Sequence, residues 1–333
     1  MKILITRLGA YGDVLITTPV IRFLHDQGHE IHYLTSERGR EMLENNENVD
    51  FLHFMPTEDR TDEKLHEEWN EWEDKVKPDK HINFTESIEV NLALHPRGSR
   101  YNWTKDERRV ISDKNYYEEM FRWAKLDVPE DMTPQMFYYS KELADARDLI
   151  RADKFNILVV LSGSGKNKAY PWMSGVIGEC LEKLHDIHVI TVGDEACQLL
   201  EVEGKDVTNL AGKIPIRISM ALTGLVDLVV SPDTGVLHAS GQYDTPKIGI
   251  FGHTTIENIT KHFKNDYSLE ADPSLCECAP CFRMIYNVGI QCPQDPVSKA
   301  AWCMSHGHLP EKVFNRITDV YRIYSRNKAT VSA

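Results

Sequence analysis

Short apolar runs alternate along this chain with longer stretches in which apolar residues recur every three or four positions. Runs of the first kind, bounded by Gly, Pro, Asn or Asp, read as strands buried on both faces, and stretches of the second kind read as amphipathic helices. In the first half the pattern predicts strands at Lys2–Thr6, Glu30–Thr35, Val49–Met55 and His81–Phe84. A helix follows Gly12 with Ile16, Val20, Phe23 and Leu24 along one face; Pro19 inside it means either a kink or a start there capped by Thr18, and the earlier start is preferred. The charged stretch Thr57–Asp79 carries Leu65, Trp69 and Trp72 at helical spacing, and Tyr116–Leu126 predicts a helix with Met120, Trp123 and Ala124 inward.

Around Val128–Thr133 the texture loosens into Val-Pro-Glu-Asp-Met-Thr-Pro, and then the alternation restarts. Strands are predicted at Asn156–Leu161, His188–Gly193, Asp227–Ser231 and Lys247–Phe251, with helices at Trp172–His185, from about Glu195, at Ile216–Thr223 and from Asp233. Alternating strand and helix implies parallel sheets covered on both faces. The expected division is residues 1–140, residues 141–310, and a C-terminal helix and tail over 311–333. The expected fold class is therefore α/β, two Rossmann-like parallel-sheet domains facing a cleft, with ligands beyond the carboxyl ends of the strands.

Composition narrows the functions this fold can serve. The 333 residues hold 38 Lys+Arg against 51 Asp+Glu, a formal net charge of −13, which argues against generic nucleic-acid binding. Hydrophobic residues at 41% and charged ones at 27% suffice for a substantial core. Apolar runs such as Ile157–Leu161 and Leu225–Val230 fall far short of the roughly 20 residues that cross a bilayer. The opening Met-Lys-Ile-Leu-Ile-Thr-Arg is too short for a secretory apolar region, so a cytoplasmic chain is expected. In a reducing compartment the seven cysteines read as free thiols or metal ligands before they read as disulfides.

Three turns could carry chemistry. Ser231-Pro-Asp-Thr-Gly-Val-Leu-His238 follows a buried strand and opens a helix, with Asp233 as expected N-cap and Thr234 and Gly235 in a first turn that favours an anion. His238 lies one helical turn from Thr234, and the alternative reading of the stretch is a capped helix with a packed histidine. Leu161-Ser-Gly-Ser164-Gly-Lys-Asn-Lys168 is a second glycine–serine turn, with lysines placed to offset phosphate charge, and it lacks the Walker A spacing. In the first half, Gly9 and Gly12 flank a turn too sparse for a dinucleotide fingerprint, and Asp13, taken alone, reads more readily as a cap than as a catalyst.

Arg7-Leu-Gly-Ala-Tyr-Gly-Asp-Val-Leu-Ile-Thr-Thr-Pro19, Lys168-Ala-Tyr-Pro-Trp172, Leu210-Ala-Gly212 and Asp233-Thr-Gly-Val-Leu-His238 together resemble, in order, the motifs of glycosyltransferase family 9, the heptosyltransferases of lipopolysaccharide core assembly. The resemblance implies a GT-B architecture and a metal-independent, inverting transfer from a nucleotide-diphosphate sugar to a lipopolysaccharide or other glycan acceptor. By the same resemblance Asp13 matches the general base, Lys168 the phosphate-contacting lysine, and Asp233, Thr234, Gly235 and His238 the nucleotide-phosphate loop. Ser164 belongs with the donor turn, and Glu195 is a loose match to the acidic position that binds the nucleoside. No cofactor is implied for catalysis.

Two features lie beside the motifs. Cys276, Cys278, Cys281, Cys292 and Cys303 form a dense run of soft ligands that could close a structural zinc site; buried free thiols and a regulatory disulfide are the other readings. Arg97, Arg100, Lys105, Arg108 and Arg109 make a local basic concentration. Facing the cleft, Arg97 and Arg100 would meet a phosphorylated, lipid-linked acceptor at the inner face of the membrane, a peripheral contact; facing away, they are a solvated loop. Two rival functions fit a similar scaffold: a nucleotide-sugar epimerase, and a non-catalytic sugar-nucleotide-binding protein.

Overall fold

The computed structural model describes residues 1–56, 62–85 and 87–331. The first half builds a parallel sheet from β1 (Lys2–Thr6), β2 (Glu30–Thr35), β3 (Phe51–Phe54) and β4 (Lys80–Asn83), ordered β3-β2-β1-β4. The second half builds another from β5 (Phe155–Val160), β6 (Ile187–Val192), β7 (Val207–Asn209), β8 (Leu228–Pro232), β9 (Lys247–Phe251) and β10 (Leu269–Glu270), ordered β10-β9-β8-β5-β6-β7. The strands of both sheets pair in parallel, with register such as Ile3↔Ile31 and Leu158↔Ile190. The central strands are apolar on both faces because helices cover both, which is why Phe155–Val160 and Ile187–Val192 are buried at every position.

The first helix is broken where Pro19 suggested trouble. One helix covers Tyr11–Leu15 and a second Thr18–Asp26, with Thr17 as its N-cap and Pro19 in its first turn, where the missing N–H costs no hydrogen bond. The helix Asp62–Val76 occupies the charged stretch; the beginning of that stretch, residues 57–61, and the side chain of Leu65 lie outside the described residues. Trp123 corrects the inward assignment made from spacing: it stands half exposed at the end of the helix Tyr116–Trp123, with its indole N–H donating to the Asn83 carbonyl at 2.8 Å. The helix expected from Glu195 is a 3₁₀ helix over Glu195–Leu200. The tail forms the helix Pro310–Val331, whose Val313, Phe314, Ile317 and Val320 pack into the second sheet's core, and the last residues, 332–333, lie outside the described residues.

The two halves share a core. One apolar cluster runs from Ile3, Val14 and Met120 of the first half into Leu158, Val229 and Leu237 of the second. Arg217, nearly fully buried, fastens the seam by donating to the Glu41 and Phe137 carbonyls while its Nε pairs with Glu142 at 2.5 Å. The helix Ser140–Arg147 packs on the helix Ile216–Ala221. This arrangement sets the turn after β1 against the turn after β8, which lies beside that after β5 in the same sheet.

Candidate active site

At the end of β1 the chain turns back on Asp13. The Asp13 Oδ2 accepts a 2.8 Å hydrogen bond from the Ala10 N–H, so Asp13 is the third residue of the helix Tyr11–Leu15 and its carboxylate closes that helix's start. Gly9 sits at φ +147°, and a Cβ there would lie 2.7 Å from Asp13 Oδ2; only glycine leaves room for this fold-back. Arg7, with no exposed side-chain surface, places Nη2 3.2 Å from Asp13 Oδ1 and makes a two-pronged pair with Glu89 at 3.2 and 3.0 Å. Asp13 and Glu89 keep 30% and 25% of their side-chain surface, so both carboxylates are partly exposed.

The donor-type turns meet beyond β5 and β8. The Lys168 ammonium lies 2.8 Å from Asp233 Oδ2, and His238 Nε2 lies 3.5 Å from Asp233 Oδ1. Burial alone would raise the Asp233 carboxyl, but Lys168 and His238 outweigh it and hold Asp233 well below the usual carboxylate range. Burial likewise opposes the charge on Lys168, yet Asp233, with help from Asp13, raises it and keeps it an ammonium. Thr234, rather than Asp233, caps the helix Gly235–Ser240, accepting from the Leu237 N–H. The Asp233 carboxylate is thereby freed for Lys168, which corrects the expected N-cap.

Two glycines bring the halves into contact. A Cβ on Gly12 would lie 2.9 Å from His238 Cδ2, and one on Gly235 would lie 2.8 Å from Tyr11 Cβ and 3.4 Å from the Gly12 nitrogen. The first turns of the helices Tyr11–Leu15 and Gly235–Ser240 therefore abut, which sets Asp13 within electrostatic reach of Lys168. His238 is buried and bridges the halves: its Nδ1 shares a 2.7 Å hydrogen bond with the Tyr117 hydroxyl. In this position the His238 imidazole stands between the Tyr117 hydroxyl and the Asp233 carboxylate.

The remaining candidates are spread around this centre. Ser164 is exposed at the Lys168 turn, where the Gly163 N–H donates to the Lys168 carbonyl at 3.0 Å. Glu195 is exposed at the end of β6, its backbone so close to Gly212 that a Cβ on that glycine would lie 2.8 Å from Glu195 Cα; this packing accounts for the Leu210-Ala-Gly212 motif. Of the basic cluster, Arg108 is pinned to the Cys281 carbonyl at 2.8 Å and Lys105 to the Glu277 carbonyl at 2.6 Å, while Arg97 and Arg100 remain exposed.

All seven cysteines are free, and Cys276 and Cys278 approach to 3.6 Å between sulfurs. Among the described residues no group of three or more His, Cys, Asp or Glu side chains is arranged to hold a metal ion. No helix among them is long and apolar enough to cross a membrane. Glu89 and Tyr117 had no signal in the sequence, because their partners are 82 and 121 residues away.

Two parallel, Rossmann-like sheets, with a carboxylate turn set against a lysine–aspartate turn, give the chain a GT-B architecture. A family model described as glycosyltransferase family 9 (heptosyltransferase) matches residues 95–286, more than half of the chain, and the chain belongs to that family. Lipopolysaccharide heptosyltransferase 1 of Campylobacter coli is 23% identical over 313 residues, covering 76% of this chain and 84% of that protein. The crystal structure of a family 9 glycosyl transferase from Veillonella parvula DSM 2008 superposes with a TM-score of 0.70 at 15% identity, covering 96% of each chain. E. coli heptosyltransferase WaaC with ADP superposes with a TM-score of 0.58 at 15% identity, over 96% of this chain and 100% of that one. The protein is thus a glycosyltransferase of heptosyltransferase type.

Proposed function

We propose that this protein moves a heptose or related sugar from a nucleotide-diphosphate sugar to a lipopolysaccharide or other glycan acceptor, inverting the anomeric carbon and using no metal in the chemical step. The observation that carries the reading is the opposition, across the Gly12–Gly235 contact, of an accessible carboxylate and a part-exposed lysine paired with a nearly buried aspartate. The acceptor oxygen attacks the anomeric carbon, the bond to the diphosphate breaks with its electron pair staying on the phosphate, and the acceptor proton passes to Asp13. Lys168 offsets the growing phosphate charge, and the capped first turn at Thr234 and Gly235 favours the same anion. Ser164 and Glu195 lie on the donor side of this scheme. Arg97 and Arg100 lie on the acceptor side, where a phosphorylated, lipid-linked acceptor would draw the protein to the inner membrane face. That ADP accompanies the E. coli relative supports an adenosine diphosphate donor.

The test is incubation with ADP-heptose and a truncated lipopolysaccharide acceptor, with the product's anomeric configuration read by NMR. Inverted transfer product is expected. Epimerised donor without transfer, or donor binding without turnover on any acceptor, would install one of the rival functions instead.

A separate proposal concerns Cys276, Cys278, Cys281, Cys292 and Cys303, as holders of a structural zinc or iron. It rests on their spacing and on the crowding of four of them with Arg108 and Arg283, whose charges would offset a thiolate cluster. The present side-chain arrangement is not a ligand set, and no step of catalysis runs through it. Elemental analysis of protein purified without chelator should return near-stoichiometric metal; free titration of all the thiols in the native state overturns the proposal.

A further inference from the structure

One buried cation stands between two carboxylates at the end of β1. Arg7 presents its two-pronged face to Glu89, at 3.2 and 3.0 Å, and only the Nη2 edge to Asp13, at 3.2 Å. Its other donors go to backbone: Nη1 to the Phe84 carbonyl at 2.9 Å and Nε to the Asp13 carbonyl at 3.4 Å. A two-pronged pair is the stronger and more directional of the two contacts, so Glu89 decides where the guanidinium lies and Asp13 takes what remains.

The surrounding groups do not alter that balance. Tyr33 and Tyr116 face the cluster as buried phenols, and burial, with the nearby carboxylates adding to it at Tyr116, keeps both protonated. Tyr286 stands beside Glu89, Arg97 lies next to Tyr286, and Lys168, itself paired with Asp233, faces Asp13 across the cleft.

We infer that Glu89 is a positioning residue for glycosyl transfer: by engaging Arg7 it offsets the guanidinium charge and leaves Asp13 a working base rather than one half of a simple ion pair. The inference rests on the transferase reading above, in which Asp13 takes the acceptor proton. An arginine beside a carboxylate stabilises its ionised form and weakens it as a proton acceptor, and that is the effect Glu89 counters.

The decisive variant is Glu89→Gln, nearly isosteric and uncharged, with Glu89→Ser as a second neutral variant should the first fold poorly and Glu89→Asp as the charge-retaining control. In Glu89→Gln the full Arg7 charge bears on Asp13, so the acid limb of the kcat profile should move to lower pH by about one unit, and kcat at pH 7 should fall roughly tenfold. Affinity for ADP should stay at the parent value, and Glu89→Asp should restore the parent profile. A second readout needs no turnover: the carboxyl ¹³C signal of Asp13, assigned with Asp13→Asn, should titrate at lower pH in the neutral variants. An unchanged Asp13 titration in a folded neutral variant overturns the inference, as does a kcat loss with an unmoved pH profile that Asp fails to rescue. Absence of transfer by the parent protein would instead overturn the transferase reading, and the ¹³C titration would still decide what Glu89 does to Asp13.

Discussion

The turn after β1 and the turns after β5 and β8 are built from the same strand–glycine–helix plan, yet they treat charge in opposite ways. At the first, one arginine serves two carboxylates, and both keep part of their surface open. At the second, one lysine faces one carboxylate, and the aspartate is nearly closed off, with 11% of its side chain exposed. The first centre carries one more carboxylate than cation and the second is balanced; in the proposed reaction the first would receive a proton and a diphosphate would give Lys168 a second anion to serve. A parallel α/β sheet offers the same geometry at each strand end, so the difference lies in the side chains gathered there: Glu89, from a separate helix, at one, and Lys168, from the neighbouring turn, at the other.

The sharpest break of this comparison is Asp13→Asn. Amide and carboxylate have nearly the same shape, and an asparagine oxygen still accepts from the Ala10 N–H, so the turn should persist while the base is lost. Turnover should fall by roughly 10²–10⁴-fold with affinity for ADP nearly unchanged, because general-base assistance is worth about that much. Steady-state rates and calorimetric titration with ADP measure the two quantities separately. Parent-like turnover would reduce Asp13 to a structural role, and a joint loss of turnover and ADP binding would mean the two centres are not separable.

The converse change is Lys168→Ala, which should act on the donor and spare the base. Hydrogen bonds to charged groups are worth roughly 1.5–3 kcal/mol, so ADP affinity should fall about 10- to 100-fold. Removing the ammonium also leaves Asp233, buried and charged, beside only the imidazoles of His238 and His253, and some loss of thermal stability should accompany the binding defect. ADP binding at parent strength would remove Lys168 from the donor site and dissolve the contrast between the two turns.

What could be read in the sequence follows from distance along the chain. The turn residues were legible because each lies within a few positions of the strand it ends: Gly9 and Asp13 after β1, Lys168 after β5, Asp233 and Thr234 after β8. The central strands were legible because burial on both faces leaves an unbroken apolar run, as in Phe155–Val160. The short outer strands Val207–Asn209 and Leu269–Glu270 left no such run and were missed. Assigning the cap to Asp233 failed for another reason: aspartate caps well in isolation, but here Lys168, 65 positions earlier, competes for its carboxylate and Thr234 takes the cap. Arg7 stood inside a motif, yet its role depends on Glu89, and nothing near Glu89 announces it.

The smallest expected effect tests whether the two turns depend on one another. The Tyr117 hydroxyl, from the helix Tyr116–Trp123, is shared with His238 Nδ1, and His238 also approaches Asp233 and crowds Gly12, so this bond ties the first half to the Asp233 turn and steadies the ring against the helix that carries Asp13. Tyr117→Phe removes one oxygen from a buried site and leaves the ring packing against Phe263 in place. A typical intramolecular hydrogen bond contributes about 1 kcal/mol, and leaving the imidazole nitrogen without its partner adds to the loss rather than offsetting it. The midpoint of thermal unfolding should therefore drop by about 1–3 °C, since a kcal/mol moves it roughly 2–4 °C in chains of about 150–250 residues and less in a longer one. ADP affinity should change only a few-fold, since Lys168 and Thr234 keep their places, and kcat should change no more than that. If the unfolding midpoint is unmoved while ADP binding collapses, His238 contributes directly to the donor site, and the bridge between the halves is carried by the Gly12–Gly235 contact and Arg217 without it.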